Sequence, residues 1–208
     1  MYKRQLLDNV DEINPRWSRA LQQMQQQGSR MQTLLNDLLL LAKLEATDYP
    51  SDNHPVAVQS LLQTIKNDAQ ALSGERGQQI TLEADPQVLL KGSEGELRSA
   101  FSNLVFNAVK YTQDKGNIRI RWWSDEHGAH LSVQDSGIGI DAKHLPRLTE
   151  RFYRVDSSRN SNTGGTGLGL AIVKHVLLRH RARLEISSVL GHGLSLIHIS
   201  EPTRLRRI

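Results

Sequence analysis

The chain has 208 residues, 38% of them hydrophobic and 23% charged, which allows a core and one or two domains and excludes a disordered composition. It contains no cysteine, so a disulfide scaffold, a thiolate zinc site and a cysteine nucleophile are excluded. The net charge of +4 sits at the ends, on Lys3 and Arg4 and on Arg204, Arg206 and Arg207 against Glu201. The body between is neutral, which argues against a nucleic-acid partner. No apolar run reaches the roughly 18 residues of a membrane helix, and no signal-type apolar stretch follows Lys3 and Arg4, so a cytoplasmic location is expected.

Residues 16–46 carry one long helical pattern. Met24, Met31, Leu35, Leu38 and Ala42 recur three, four or seven apart, with Gly28 in the same stripe, which predicts a seam for another helix. Residues 6–14 are too short for a full partner helix. Pro50 and Pro55 mark a linker over 50–55. Beyond it, residues 56–72 read as a helix with Val58, Leu61, Leu62, Ile65 and Leu72 on one side. Strands are predicted over 79–84 and 88–91, then a helix over 95–111 with Leu97, Phe101, Leu104, Val105 and Ala108 on its inner face. Alternation predicts strands over 117–123 and 130–134, joined by a turn at 125–128. A glycine cluster at 164–169 opens a helix over 170–180, and a strand follows over 183–187. This mixture predicts an α/β two-layer sandwich, with helices on one face of a mixed sheet. The expected domains are a helical region over 1–49, the linker, a second domain over 56–193, and an atypical tail over 194–208.

Three segments carry chemistry. Asn103 and Asn107 are four apart on the predicted helix and Lys110 three further, so two amides and an ammonium share a stripe able to face Mg²⁺ and a phosphate oxygen. Such a stripe is also what a solvated helix face looks like. Asp135 closes a strand and is followed by Gly137 and Gly139, which allow a tight turn and close approach to a ligand. Its carboxylate could accept from an adenine amino group, and a plain Asp-x-Gly turn is the simpler reading. Thr163-Gly164-Gly165-Thr166-Gly167-Leu168-Gly169-Leu170 runs into a helix start, where converging N–H groups and the helix dipole favour phosphate. The segment lacks Gly-Lys-Ser/Thr and is not a Walker loop. The polar stretch 156–163 before it reads as a lid.

These segments occur in a fixed order, with the aromatic-basic run Arg151-Phe152-Tyr153-Arg154 between the second and third. That order resembles the N, G1, F and G2 boxes of the sensor histidine kinases. Their ATP-binding domain has the Bergerat (GHKL) fold shared with gyrase B, Hsp90 and MutL. The resemblance covers residues 16–193, and residues 147–156 and 169–175 look closest to the phosphate-regulon branch of that family. The segment 30–46 is similar to the second helix of the family's dimerisation hairpin.

The resemblance implies ATP and Mg²⁺ as cofactors and γ-phosphoryl transfer to histidine in a two-component phosphorelay. Asn107 would ligate Mg²⁺, Asn103 would support that face, Lys110 would reach a phosphate, and Tyr111 would lie near the nucleotide. Asp135 would bond the adenine amino group beside Gly137 and Gly139. Phe152 and Arg154 would belong to the lid, and Gly165, Gly167, Leu168, Gly169 and Leu170 would offer backbone contacts to the phosphates. Hydrolysing relatives carry a glutamate base four residues before the metal asparagine. Asn103 stands there and cannot take a proton, so transfer is expected over hydrolysis. Implied partners are a response regulator and a second copy of the chain through the hairpin, with the intact parent in the bacterial inner membrane.

Two departures stand out. None of the eight histidines lies in a phosphoacceptor context, so the chain by itself is not expected to autophosphorylate. Leu194 stands where the family has threonine after Gly191-His192-Gly193, and residues 195–208, like residues 1–5, look like translated adapter text. Apolar residues at 194, 196, 197 and 199 still partly suit a last strand. A non-catalytic nucleotide-binding or dimerisation module, and an ATPase of another GHKL class, remain the alternatives.

Overall fold

The alternation of Ile118, Ile120 and Trp122 with Asn117, Arg119 and Arg121 gives β4 one buried and one wet face. That two-faced strand organises the molecule. The computed structural model describes residues 15–47, 49–50, 52–155, 165–191 and 193–200. In chain order the elements are α1 (Pro15–Glu45), β1 (His54–Val56), α2 (Val58–Ser73), β2 (Gln79–Ala84), β3 (Leu90–Gly92), α3 (Glu94–Tyr111), β4 (Asn117–Asp125), β5 (Gly128–Asp135), α4 (Gly169–Arg179), β6 (Ala182–Val189) and β7 (Gly193–Ser200).

Five strands form one mixed sheet in the order β2-β4-β5-β7-β6. The β2–β4 pair is parallel, with Ile80 opposite Ile118, and the remaining pairs are antiparallel. Helices α2, α3 and α4 cover one face, as the sandwich reading expected. The core lies between Ile118, Ile120, Trp122, Leu131 and Val133 of the sheet and Leu62, Ile65, Leu97, Phe101, Leu104 and Ile172 of the helices, all buried. The Phe101 and Trp122 rings meet at 6.5 Å with a 47° tilt. The Trp122 indole N–H, which burial would otherwise strand, donates to the Val88 carbonyl at 3.1 Å.

Three expectations are corrected. The linker does not extend to residue 55, because His54–Val56 pairs antiparallel with Leu90–Gly92 as a small second sheet. A three-residue strand is too short for its alternation to be read locally. Leu72 does not face the core; it is exposed, and Ala69 and Ser73 continue the buried stripe of α2. The second domain does not end at 193: Gly193–Ser200 forms β7, with Gln134 opposite Ser195 on one side and Ile186 opposite Leu196 on the other. Residues 194–200 of the expected tail therefore supply an interior strand, the last strand that the apolar residues at 194, 196, 197 and 199 partly suited.

Helix α1 spans 31 residues, about 46 Å at 1.5 Å per residue. It carries two stripes. Leu41 and Leu44 are buried against the rest of the molecule. Most of the predicted seam points elsewhere: Met24, Met31, Leu35 and Ala42 are exposed, Trp17 and Leu21 extend the same stripe toward the N-terminus, and Leu38 alone of the seam packs partly on the core. Residues 1–14, which include the short upstream piece, lie outside the described residues. Among the described residues, no helix is long and apolar enough to cross a membrane.

Candidate functional site

The site grows from the C-terminal half of α3. Carbonyl groups at a helix end lack intrahelical partners, and here two side chains supply them. The Arg76 guanidinium donates to Val109 O at 2.8 Å, and the Gln78 amide donates to Val109 O at 3.0 Å and Thr112 O at 2.8 Å. That fixes where Lys110 and Tyr111 sit. Burial lowers the Lys110 pKa, with the Arg154 and Arg30 guanidinium groups acting in the same direction. Burial raises the Tyr111 phenol, Arg154 opposing. The Lys110 ammonium lies 5.1 Å from the Tyr111 ring centroid. Two guanidinium groups acting on one half-buried lysine make a region that an anion would stabilise.

One turn back, the Asn103 amide donates to Ser99 O at 2.9 Å. Half-buried Asn107 lies one turn further along the same face, and its side chain makes no hydrogen bond with a described residue. The glycine segment closes over this stripe. A Cβ at Gly165 would meet the Lys110 ammonium at 2.5 Å, and one at Gly169 would meet Asn103 Oδ1 at 2.5 Å. Gly167 has φ +72°, a backbone region that other residues rarely adopt. Its carbonyl accepts from the Phe152 N–H at 2.9 Å, which ties the aromatic-basic run to the loop. Phe152 itself is exposed and left-handed at φ 62°.

Leu168 turns its side chain fully into the core and contributes backbone alone: its N–H donates to Thr166 Oγ1 at 3.2 Å, and its carbonyl accepts from Ile172 N. Leu170 is half-buried against the core. From Gly169 onward α4 presents its N-terminal end to the same region. Gly164 and the lid residues 156–163 lie outside the described residues.

Asp135 ends β5 and is buried, its Oδ1 accepting from the Gly137 N–H at 2.8 Å. A Cβ on Gly137 would meet Tyr111 O at 2.5 Å, which places this turn against the end of α3. Gly139 has φ +65°, and a Cβ there would strike the Val189 carbonyl. The structure therefore gathers Asn103, Asn107, Lys110 and Tyr111 of α3, the Asp135–Gly139 turn, Phe152 and Arg154, and the glycine loop around one region. A strand-end carboxylate stands on one side, and an ammonium and a helix N-terminus on the other. Among the described residues, no cluster of three His, Asp or Glu groups could hold a metal. A single amide ligand suits a Mg²⁺ that keeps waters and takes its other oxygens from phosphates.

Sequence reasoning missed the contribution of α1. Asp37 accepts from the Thr166 hydroxyl at 2.8 Å, and its carboxyl is raised by burial, that hydrogen bond opposing. Glu45 pairs with Arg151 and, at 3.2 Å, with His175. Arg179 forms a buried pair with Glu96 and donates to Leu44 O and Thr47 O. Arg30, Asp37, Leu41 and Leu44 recur at three, four and seven, but a stripe half charged is invisible to a search for apolar periodicity.

A family model described as "Histidine kinase-, DNA gyrase B-, and HSP90-like ATPase" matches residues 92–203. The phosphate regulon sensor protein PhoR of Pseudomonas aeruginosa is 79% identical over 192 residues, covering 92% of this chain and 43% of that protein. PhoR of Haemophilus influenzae is 41% identical over 182 residues, covering 88% and 42%. The chain thus spans less than half the length of these curated relatives. Among solved structures, that of full-length ShkA in complex with AMPPNP superposes with a TM-score of 0.76 at 25% identity, covering 91% of this chain and 39% of that one.

Proposed function

The chain belongs to the histidine kinase-, DNA gyrase B- and HSP90-like ATPase family, and from that premise we propose that it is the Mg-ATP-binding region of a sensor histidine kinase that serves phosphate-regulon signalling. The observation that carries this is the convergence of the α3 polar stripe, the buried Asp135 and the glycine-flanked start of α4 on one region. Asp135 accepts the adenine amino group, and Gly137 and Gly139 let the backbone approach the ring. Tyr111 lies beside the nucleotide. Lys110 and the N–H groups of Gly165, Gly167, Gly169 and Leu170 take the phosphates, and Leu168, whose N–H is held by Thr166 Oγ1, shapes the loop between them. Asn107 holds the metal, and Asn103 braces the loop from beneath. Phe152 and Arg154 border the region through which the phosphates enter.

When bound, Mg²⁺ neutralises phosphate charge and orients the terminal phosphoryl group. Asn103 lacks a titratable oxygen and so cannot activate water as a base, which favours transfer over hydrolysis. The acceptor is a histidine supplied by another segment or chain, and a response-regulator aspartate receives the phosphoryl group next. PhoR at 79% identity is the support for the phosphate-regulon role. The exposed seam Trp17, Leu21, Met24, Met31 and Leu35 supports pairing of two copies through α1. The parent protein is placed at the inner membrane, with this region in the cytoplasm.

Binding of a fluorescent ATP analogue, with and without Mg²⁺, tests the site. Metal-dependent binding lost in Asn107→Ala is the expected result. Metal-independent binding, or binding unchanged in the variant, would overturn the assignment. Transfer of label from γ-labelled ATP to a supplied phosphoacceptor domain separates the kinase from a nucleotide-sensing module.

A further inference from the structure

Asp37 is an expensive residue where it stands. It is half-buried on α1, burial raises its carboxyl, and Thr166 is its hydrogen-bond partner among the described residues. Nothing in helix propensity asks for aspartate in the middle of α1. Thr166 sits between Gly165 and Gly167, at the point where the loop turns over Lys110 and Asn103. Its hydroxyl is engaged both ways: the proton goes to Asp37 Oδ2 at 2.8 Å, and the oxygen accepts the Leu168 N–H at 3.2 Å. The first bond is made across 129 residues of chain.

We infer that Asp37 is a positioning residue of this site: from the long helix, it holds the glycine loop through the Thr166 hydroxyl in the shape that receives phosphate. The inference rests on the reading of that loop as the phosphate cradle. Glycines at 165, 167 and 169 give the loop maximal backbone freedom, which must be lost when a ligand binds. Fixing the Thr166 side chain between the first two removes part of that loss in advance. Phe152 N to Gly167 O restrains the loop from one side, and Asp37 restrains it from the other. Because the acceptor sits on α1, a shift of that helix by an ångström or so breaks the bond. Phosphate affinity thereby depends on where the helix lies against the domain.

Binding of the fluorescent Mg-ATP analogue to the 208-residue chain tests this, with thermal melts to show that each variant folds. Asp37→Ala should weaken binding roughly five- to tenfold, about what loss of one ordinary hydrogen bond produces. Asp37→Asn keeps an acceptor and Thr166→Ser keeps the hydroxyl, so both should bind within about twofold of the unaltered chain. Thr166→Val leaves α1 intact and should weaken binding at least as much as Asp37→Ala. The double variant Asp37→Ala, Thr166→Val should be no weaker than Thr166→Val alone. Unchanged affinity in folded Asp37→Ala or in Thr166→Val, with Asn107→Ala still inactive, overturns the inference and leaves the site standing. An equal loss in Asp37→Asn also overturns it, because charge and not the hydrogen bond would then be responsible. Absence of binding by the unaltered folded chain refutes the site itself, and the inference with it.

Discussion

Replacing Arg179 by alanine should be among the most damaging single changes outside the nucleotide site. Its side chain and that of Glu96 are 4% and 6% exposed, and they meet in two bonds of 3.0 and 3.2 Å. The third nitrogen donates to Leu44 O at 3.1 Å and to Thr47, the carbonyls left open where α1 ends. Arg179 thus joins three elements: it lies on α4, pairs with the first turn of α3, and caps α1. Its removal takes the Arg179 cation from the buried Glu96 carboxylate, which also lies 3.9 Å from His180 Nδ1. Breaking a buried pair from one side costs about 3–5 kcal/mol. For a protein of this size, that corresponds to a fall in Tm of roughly 6–20 °C. Urea denaturation followed by circular dichroism reads the cost. The double change Arg179→Met, Glu96→Leu removes both charges and should recover most of the stability. It cannot restore the cap, so amide exchange at the end of α1 should stay fast. A cost below about 1 kcal/mol for Arg179→Ala would refute the reasoning, because it would place the pair in solvent.

Two further outcomes follow from the same geometry. Leu196→Pro removes a backbone donor from β7 where it pairs with Val133 on one side and Ile186 on the other. It should cost about 3 kcal/mol or more, whereas a dispensable tail would tolerate it, and a melt distinguishes the two. His180 accepts from Ser93 N–H at 3.2 Å and faces Val176 O at 2.8 Å, and burial lowers its pKa. His175 is lowered by burial as well. A lowered histidine pKa means that the unfolded chain binds the proton first, so stability should decline as pH falls through about 6.5. The stability difference between pH 7.5 and 5.5 should shrink in His180→Gln, and an unchanged slope would assign the dependence elsewhere.

The polar stripe of α3 was legible from the sequence because a helix repeats itself every few residues. Asn103, Asn107 and Lys110 needed nothing beyond spacing to share a face. The same holds for β4, whose alternation is local, and for the glycine run, which composition alone sets apart. The order of these segments was enough to name the family and the ligand that its members take. Tertiary structure alone decided what meets across long separations. Strand β1 is three residues long, and β7 lies in sequence that looked foreign and suited a strand only in part; each is settled by its neighbours in a sheet. Backbone hydrogen bonding explains this, since a ladder accepts almost any side chain that its two faces tolerate. The domain-facing stripe of α1 was hidden for a different reason. Arg30 and Asp37 look like solvent residues until the fold brings Lys110 and Thr166 to them. Local spacing wrote the candidate site into the sequence, and packing joined that region to the long helix.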